Sequence, residues 1–317
     1  MARVLVTRRL PDGGTDPLLA AGHDLVARDD DTPFTHEELV AASGSVDAIV
    51  CLLTDRIDAA VLEAGTDRLR VVANVAVGYD NVDVATAERL GIAVCNTPGV
   101  LDETTADAAF LLILAASRLA SEAEADLRGG RWPGWGINQY LGRDVHGAVL
   151  GVVGFGRIGQ AVARRATGFG MEVLHHTRHD TGLTGWTADL DDLLGASDVV
   201  SLHVPLSDAT RHLVDARRLA RMKPGAVLVN TARGPVVDEE ALAVALERGE
   251  LFAAGLDVFE REPEVHPRLL AAPRTTLLPH IGSASLATRT RMARMACSGA
   301  VEVLAGGSPP NLVARAR

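Results

Sequence analysis

The sequence VLGVVGFGRIG, residues 149–159, decides the fold class of this 317-residue chain. The apolar, β-branched run at its start predicts a strand, and the stretch ends in a Gly-x-Gly-x-x-Gly fingerprint. The helix-forming run 157–167 begins within the last residues of this fingerprint. In such a unit Gly154 permits a sharp turn, Gly156 lets the backbone approach a pyrophosphate, and Gly159 lets the helix pack against the strand. The helix N-terminus offers N–H groups and a positive dipole end to phosphates. The stretch predicts a dinucleotide-binding unit; a glycine-rich turn without a ligand is the alternative.

Predicted strands and helices alternate along the whole chain, which is typical of an α/β fold. Before the fingerprint we expect a small parallel sheet with strands at 3–6, 46–53, 69–75 and 92–95, and helices at 33–43 and 82–90. From the fingerprint onward we expect strands at 149–153, 172–176, 199–204, 226–230, 253–258 and 275–278, and a last helix at 286–304 followed by a short basic tail.

The region between the two series predicts one long helix and one irregular loop. Residues 104–119 are mostly apolar, so this helix must be buried in a core or at a subunit interface. Its candidate caps are Asp102, Thr104 and Thr105. Residues 128–143 are rich in glycine and are expected to form a loop with aromatic anchors, namely Trp132, Trp135 and Tyr140.

The composition limits the classes of function. The chain has 31 basic and 41 acidic residues, a net charge of −10, which argues against a general surface for nucleic acid or anionic membranes. Its three cysteines lie far apart and form no motif with zinc spacing, so we expect buried thiols and no metal site. The longest apolar run, 108–116, is too short to span a bilayer. We therefore expect a cytoplasmic protein.

Polar side chains follow several strands of the second series. Arg233, Glu262 and His280 come shortly after strands 226–230, 253–258 and 275–278. Ligands bind outside the carboxyl ends of parallel strands, so we expect these three side chains at one ligand-binding edge. Each residue taken alone could instead be an ordinary loop residue, a surface ion-pair partner or a solvated charge.

Over nearly its whole length the chain resembles the D-2-hydroxyacid dehydrogenases, and within them the glyoxylate/hydroxypyruvate reductases. The motifs that carry the resemblance are NVAVGYDNVD (74–83), NTPGV (96–100), GFGRIG (154–159), NTARG (230–234), GLDVF (255–259) with Glu262-Pro263, and PHIG (279–282). It implies two doubly wound parallel-sheet domains. A Rossmann cofactor domain, 101–284, is inserted into a discontinuous flavodoxin-like substrate domain, 1–100 plus 285–317, and the cleft is expected to close on the cofactor and exclude water.

The resemblance implies that Arg233, Glu262 and His280 are the catalytic residues. Reduction of a 2-oxo acid needs a proton at the carbonyl oxygen, and histidine is the usual donor near neutral pH. Glu262 would keep His280 in its charged form, because a neighbouring carboxylate favours the imidazolium. The planar fork of Arg233 suits a carboxylate and a carbonyl oxygen together.

The resemblance also implies a substrate site. The backbone N–H groups of Val77 and Gly78 would complete the carboxylate clamp, and Leu53 would line an apolar side of the pocket. Trp135 resembles a tryptophan that a partner subunit contributes in this subfamily. The alternatives are a plain turn at Val77 and Gly78, and a loop anchor or dimer contact at Trp135.

The cofactor is expected to be NADP(H), with NAD(H) as the alternative. The usual acidic residue after the second fingerprint strand is replaced by Thr177, and Arg178 follows, a pair that suits a 2′-phosphate better than a carboxylate would. A shift of register could bring Asp180 to the ribose, and Arg178 could simply face solvent. Asp257 could equally be a structural cap. The full set of expected cofactor residues is Thr104, Gly154, Phe155, Gly156, Arg157, Ile158, Gly159, Thr177, Arg178, Pro205, Thr231, Asp257 and Gly282.

Together these features predict an NADPH-dependent reductase of small 2-oxo acids, giving D-configured products where the product is chiral, and a homodimer. A related dehydrogenase acting on a ketogluconate, phosphoglycerate, phosphite or a longer 2-oxo acid is the first alternative. A dinucleotide-sensing binding protein, like the corepressors that share this fold, is the second.

Overall fold

The computed structural model describes residues 1–28 and 30–314, which fall into two compact units. Unit 1 comprises Met1–Leu101 together with the chain from Ala284 onward, and unit 2 comprises Asp102–Ser283. That unit 1 binds substrate and unit 2 binds cofactor remains a prediction at this point.

Unit 1 is a six-stranded sheet with helices between its strands. In chain order its elements are β1 (Arg3–Val6), α1 (Asp16–Ala20), β2 (Asp24–Ala27), α2 (His36–Ser43), β3 (Ala48–Cys51), α3 (Ala59–Ala64), β4 (Val71–Asn74), α4 (Val84–Leu90), β5 (Ala93–Cys95), α12 (Leu286–Leu304) and β12 (Leu312–Ala314). The strand order is β12-β5-β4-β3-β1-β2, and all pairs are parallel except β12 with β5. Strands β1 to β5 thus follow the flavodoxin-like order 2-1-3-4-5.

Unit 2 is a second six-stranded sheet, and this one is parallel throughout. Its elements are α5 (Asp102–Ser117), α6 (Ala120–Arg128), β6 (Val149–Val153), α7 (Arg157–Thr167), β7 (Glu172–His176), α8 (Leu190–Ala196), β8 (Val199–Leu202), α9 (Ala216–Leu219), β9 (Val227–Asn230), α10 (Glu239–Glu247), β10 (Ala253–Leu256), α11 (Pro267–Ala271) and β11 (Thr275–Leu277). In the strand order β11-β10-β9-β8-β6-β7, the chain moves outward from β6 in both directions. The switch point therefore lies between β6 and β8, where a doubly wound sheet binds its ligand.

The central strands of unit 2 are apolar because helices cover both faces of the sheet. One face packs against α5 and α7 through side chains such as Leu112, Ile113 and Val162. The other packs against α8 and α10 through Leu193, Leu242 and similar residues. Burial on both faces explains why these strands read as continuous apolar runs rather than as alternating ones.

The structure corrects several predicted bounds. The strands expected at 46–53, 69–75, 199–204 and 253–258 are each shorter, because the apolar pattern continues into the turns that flank them. The helix expected at 104–119 runs from Asp102 to Ser117. Asp102, a candidate cap, is therefore the first residue of the helix and does not precede it. Leu119 then adopts a left-handed conformation (φ 54°), and a second helix, α6, follows. Of the basic tail, residues 315–317 lie outside the described residues.

Among the described residues, no single helix is long and apolar enough to cross a membrane. Helices α5 and α6 pass a test of length and composition only as a pair, and they are bent by 69° at their junction.

The loop after α6 is irregular, as expected, but its tryptophans are not anchors. Trp132 and Trp135 are 48% and 81% exposed in the single chain. Of these three described aromatic residues, Tyr140 alone is held by a hydrogen bond, which its hydroxyl donates to Asp126 at 3.0 Å. Within a single chain, therefore, neither tryptophan anchors the loop as predicted.

Candidate active site

The three glycines of the fingerprint differ in what an added side chain would contact. Gly154 has φ +91°, and a Cβ there would lie 2.7 Å from the backbone of His203. A Cβ on Gly159 would overlap the carbonyl oxygen of Gly154, so the helix can approach the strand only without a side chain. A Cβ on Gly156, by contrast, would meet nothing within 4 Å. Packing within the chain therefore explains Gly154 and Gly159 but not Gly156, which leaves open space above the turn.

The start of α7 has the features of a phosphate site. Gly156 is its N-cap and supplies no side-chain hydrogen bond to the first turn, so a ligand can satisfy the N–H groups there. Ile158 lies half-buried in that turn, and Phe155 stacks on the ring of His175 with centroids 3.8 Å apart. Arg157 is largely exposed and pairs with Asp102 (Nε to Oδ2, 3.2 Å).

Besides the N–H groups at the start of α7, a side-chain hydroxyl is available at the same edge of the sheet. The hydroxyl of Thr231, just after β9, is buried and has no hydrogen-bond partner within the described part of the chain. An open glycine turn, an uncapped helix N-terminus and an orphaned hydroxyl together fit a dinucleotide. Thr104, in the first turns of α5, is half-buried, and Pro205 is exposed just beyond β8.

The turn after β7 is where a dinucleotide-binding fold contacts the ribose of the dinucleotide. β7 ends at His176, and Thr177 follows it directly. The Thr177 hydroxyl donates to the carbonyl of His179 at 2.6 Å, and Arg178 is exposed. Asp180 lies three residues beyond Thr177, where its carboxylate accepts from the N–H of Gly182 at 2.8 Å. The register of β7 thus leaves Thr177 and Arg178, not Asp180, at the strand end.

His280 and Glu262 are in direct contact. His280 Nδ1 lies 2.7 Å from Glu262 Oε2, and Glu262 Oε1 accepts from the N–H of Phe259 at 2.9 Å. Both side chains remain about one-quarter exposed, so a ligand can reach them. An ionised carboxylate can only accept, so Nδ1 carries a proton and Nε2 is left for other partners.

Asp257 holds the His280 turn in place. Its two carboxylate oxygens each accept a backbone hydrogen bond at 2.7 Å, one from Ile281 and one from Gly282. The N–H of His280 donates to the Asp257 carbonyl at 2.9 Å, and His280 itself has φ +53°. A non-glycine residue in this region is held there by its surroundings. The structure thus gives Asp257 the capping role, and cofactor contacts by Asp257 and Gly282 remain predictions.

Arg233 lies in the turn that follows β9. The side chain of Asn230 accepts from the N–H of Ala232 at 3.0 Å and donates to the carbonyl of Arg233 at 2.9 Å. Arg233 Nη1 donates to the carbonyl of Ala232 at 2.8 Å. The guanidinium is close enough to Glu262 to favour its ionised form. Unit 2 therefore brings the three expected catalytic side chains to one edge.

The charge states follow from these contacts. Burial alone would raise the pKa of Glu262, but the hydrogen bond and charge of His280, the Phe259 N–H and Arg233 outweigh it and hold the pKa below its usual value. For Asp257 burial prevails over its two N–H donors and raises the pKa. Glu262 is thus an anion at neutral pH.

The expected substrate residues of unit 1 lie at the carboxyl ends of β3 and β4. The carbonyl of Val77 accepts from the Asn96 side chain at 2.8 Å, and that of Gly78 accepts from Asn74 at 2.9 Å. These bonds fix the orientation of the Val77–Gly78 turn. Leu53 is half-buried in the turn after β3.

Comparison with known proteins adds the family. Residues 110–282 match the family model described as "D-isomer specific 2-hydroxyacid dehydrogenase, NAD binding domain". The chain is 48% identical over 319 residues to a glyoxylate reductase of Korarchaeum cryptofilum, covering 98% of this chain and 95% of the relative. The chain belongs to the D-isomer-specific 2-hydroxyacid dehydrogenases. It is thus an NAD(P)-dependent oxidoreductase, and the predicted family and fold class are confirmed.

Two solved structures resemble this dehydrogenase along its whole length. The TT0316 protein of Thermus thermophilus superposes with a TM-score of 0.93 at 45% identity, covering 98% of this chain and 99% of the other. An NADPH-dependent glyoxylate/hydroxypyruvate reductase of Sinorhizobium meliloti, solved with NADP and malonate, has a TM-score of 0.88 at 35% identity, covering 99% and 98%.

Sequence reasoning missed the residues that brace this dehydrogenase's site. Asn230 and Asn74 each end a strand, a position from which an asparagine can hydrogen-bond the turn that follows, and this was an available signal. Asn96 opens the NTPGV motif and could have been weighed in the same way. The contact between Glu262 and His280 was expected, whereas the capping by Asp257 was only one of two alternatives.

Proposed function

We propose that this dehydrogenase reduces glyoxylate and hydroxypyruvate to the 2-hydroxy acids with NADPH, and that the product is D-configured where it is chiral. The observation that carries the proposal is the 2.7 Å contact between Glu262 and His280, on the same sheet as the open glycine turn. The names of the Korarchaeum and Sinorhizobium proteins support this choice of substrates.

His280 is the proton donor in this proposal. The nicotinamide supplies a hydride to the carbonyl carbon when the cofactor is bound. His280 Nε2, the ring nitrogen that does not face Glu262, donates a proton to the carbonyl oxygen. Glu262 accepts from Nδ1, and its negative charge stabilises the imidazolium before the proton leaves.

Arg233 binds the substrate in this proposal. Its guanidinium offers donors to the carboxylate and to the carbonyl oxygen, where negative charge develops during reduction. The N–H groups of Val77 and Gly78 are proposed as further donors to the carboxylate. Leu53 is proposed as apolar lining, and Trp135 as a residue that one protomer of a homodimer gives to the other.

The preference for NADPH rests on the turn after β7. Thr177 stands where a carboxylate would repel a 2′-phosphate, and the exposed Arg178 offers a guanidinium to bind it. The Sinorhizobium structure, which contains NADP, supports the same choice.

Steady-state reduction of glyoxylate and hydroxypyruvate, with NADPH and NADH in parallel, tests the proposed reaction. We expect turnover of both substrates with a higher kcat/KM for NADPH. Turnover with NADH preferred would refute the choice of cofactor and keep the reaction. Clear cofactor binding with no turnover of either substrate would refute the reaction and favour another substrate or a sensor.

Arg178→Ser tests the cofactor proposal separately. We expect the KM for NADPH to rise by about tenfold or more, as for loss of a charge-assisted bond of about 1.5–3 kcal/mol, while the KM for NADH stays unchanged. Arg56→Ser, which removes another exposed arginine from unit 1, is the control. An equal effect on both cofactors would remove Arg178 from the 2′-phosphate site.

Arg233→Ala tests the carboxylate clamp. We expect substrate KM to rise and kcat to fall together, because the guanidinium acts on both the bound acid and the developing charge. An unchanged substrate response would exclude Arg233 from the clamp.

A further inference from the structure

Glu239 is a buried carboxylate outside the proposed catalytic set. It opens α10, and only 5% of its surface is exposed. A buried carboxylate is costly unless hydrogen bonds satisfy it, so its partners indicate what it stabilises. They lie in the loop that carries Glu262.

The exchange between Glu239 and Glu260 is reciprocal. Glu239 Oε1 accepts from the N–H of Glu260 at 2.7 Å, and the N–H of Glu239 donates to Glu260 Oε1 at 3.0 Å. Glu260 Oε1 also lies 3.2 Å from His212 Nε2. The backbone N–H of His266 lies close enough to the Glu239 carboxylate to favour its ionised form. Glu239 therefore binds the backbone at the start of the segment 260–266 and faces its end at His266, and Glu262 lies between these two residues.

The Arg233 turn is in contact with the same loop. Gly234 follows Arg233 directly, and a Cβ at this position would overlap the backbone of Phe259 and Glu260. The N–H of Phe259 is in turn the donor to Glu262 Oε1. The positions of Arg233 and Glu262 thus depend on one close contact between two backbone segments. Glu239 hydrogen-bonds the loop segment of this contact at the N–H of Glu260.

We propose that Glu239 is a positioning residue, which acts through the 260–266 loop to hold Glu262 Oε2 at hydrogen-bond distance from His280 Nδ1. This rests on the roles proposed above for Glu262 and His280. The titratable groups facing Glu239 are Glu260 and His266. Burial, with the charge of Glu260 as a smaller contribution, raises the pKa of Glu239.

Two variants separate the acceptor from the charge. Glu239→Gln keeps an oxygen that can accept from the Glu260 N–H, whereas Glu239→Leu keeps the volume and no acceptor. Glu260→Ala keeps the backbone N–H that Glu239 binds. Asp189→Ala is the matched control for lost stability, because Asp189 caps α8 in the same unit and accepts from the N–H of Asp191 away from this loop.

The first readout needs no turnover. The imidazole N–H protons of the whole protein are observed by ¹H NMR, and the His280 Nδ1 proton is assigned by its loss in His280→Gln. We expect this resonance in the wild type, Glu239→Gln, Glu260→Ala and Asp189→Ala, and its loss or exchange broadening in Glu239→Leu. Persistence of an unshifted resonance in a folded Glu239→Leu would overturn the proposal.

The second readout is kinetic. We expect kcat to fall by roughly ten- to a hundredfold in Glu239→Leu, as for a misplaced catalytic group, and by no more than about threefold in Glu239→Gln. The Kd for cofactor should stay unchanged in both. Equal losses in Glu239→Leu and Asp189→Ala at equal melting temperatures would show a structural role only. A wild type that reduces no 2-oxo acid would refute the proposed function, and the NMR readout would still decide the role of Glu239.

Discussion

Gly154 and Gly156 stand two residues apart, and their missing side chains have different consequences. Gly154→Ala would force a side chain onto a residue with φ +91° and against the His203 backbone, so we expect the free energy of unfolding to fall by about 1–3 kcal/mol. Gly156→Ala would meet open space, so we expect unchanged stability and cofactor affinity weakened by roughly tenfold, about 1.4 kcal/mol.

Thermal unfolding and titration with NADPH measure the two effects. Equal cofactor affinity in Gly156→Ala and wild type would contradict a pyrophosphate at this turn. A large loss of stability in the same variant would mean that packing within the chain, not a ligand, requires this glycine.

His203 makes the stability of the fold depend on pH. Burial lowers its pKa to about 4, and its Nε2 lies 2.8 Å from the hydroxyl of Ser201. The unfolded chain takes up a proton near pH 6.5, whereas the folded chain does so only near pH 4. The unfolded state therefore binds more protons in this window, and stability falls as the pH drops from about 6.5 to about 4.

Urea denaturation of wild type and His203→Gln, at pH values from 7 to 5, isolates this contribution. We expect the stability difference between the two proteins to shift in favour of the variant by up to about 1.4 kcal/mol per pH unit within the window. Other titrating groups are shared and cancel in the difference. A difference that stays constant with pH would contradict a neutral imidazole at His203 in the folded protein.

At the scale of elements, the Arg233 turn and the 260–266 loop are packed backbone to backbone. Gly234→Ala would place a methyl group into the backbone of Phe259 and Glu260, so one of the two segments must move. We expect a loss of about 1–3 kcal/mol of stability, as for overpacking, and a fall in kcat of tenfold or more.

Gly195→Ala is the matched control, because this glycine lies within α8 and its Cβ would come no closer than 3.5 Å to the Arg221 carbonyl. We expect it to be neutral or stabilising, since alanine favours a helix. Wild-type kinetics in Gly234→Ala would show that the two segments are not coupled.

The sequence predicted those elements whose ends are marked by local chemistry. β6, β7, α7 and α12 have the expected bounds, because the glycine fingerprint and strong periodicity define them. β2 was missed because it is a short edge strand with no fully buried residue, and β12 because three residues become a strand only by pairing with β5. Arg233, Glu262 and His280 could be expected at one edge of the sheet because each follows a predicted parallel strand. Asn230 braces its own turn, which the sequence could have indicated. The bracing by Asp257 and Glu239 depends on contacts between distant segments, which periodicity does not encode.

At the scale of the whole molecule, the segment 127–141 carries several large exposed apolar side chains. Leu127, Trp135, Ile137 and Leu141 are 58–81% exposed on α6 and the segment that follows it. Large apolar side chains exposed in one segment of a chain are expected where a protein–protein contact forms. This supports the homodimer that we expect from the sequence.

Light scattering during size exclusion tests the dimer. We expect a wild-type mass of twice the 33.3 kDa of one chain, and the mass of one chain for the double variant Trp135→Asp with Ile137→Asp. Leu19→Asp, which alters an exposed leucine in unit 1, should remain a dimer. A monomeric wild type would contradict the interface and the proposed contribution of Trp135 to a partner.

The most direct test of the account compares wild type with His280→Gln in one experiment. NADPH binding is titrated, and hydroxypyruvate is then added to follow single-turnover oxidation of the bound cofactor. We expect the same NADPH affinity in both proteins and a rate about 10²- to 10⁴-fold lower in the variant, since the proton donor is lost. A variant that oxidises NADPH at nearly the wild-type rate would contradict the assignment of His280 and, with it, the role given to Glu262.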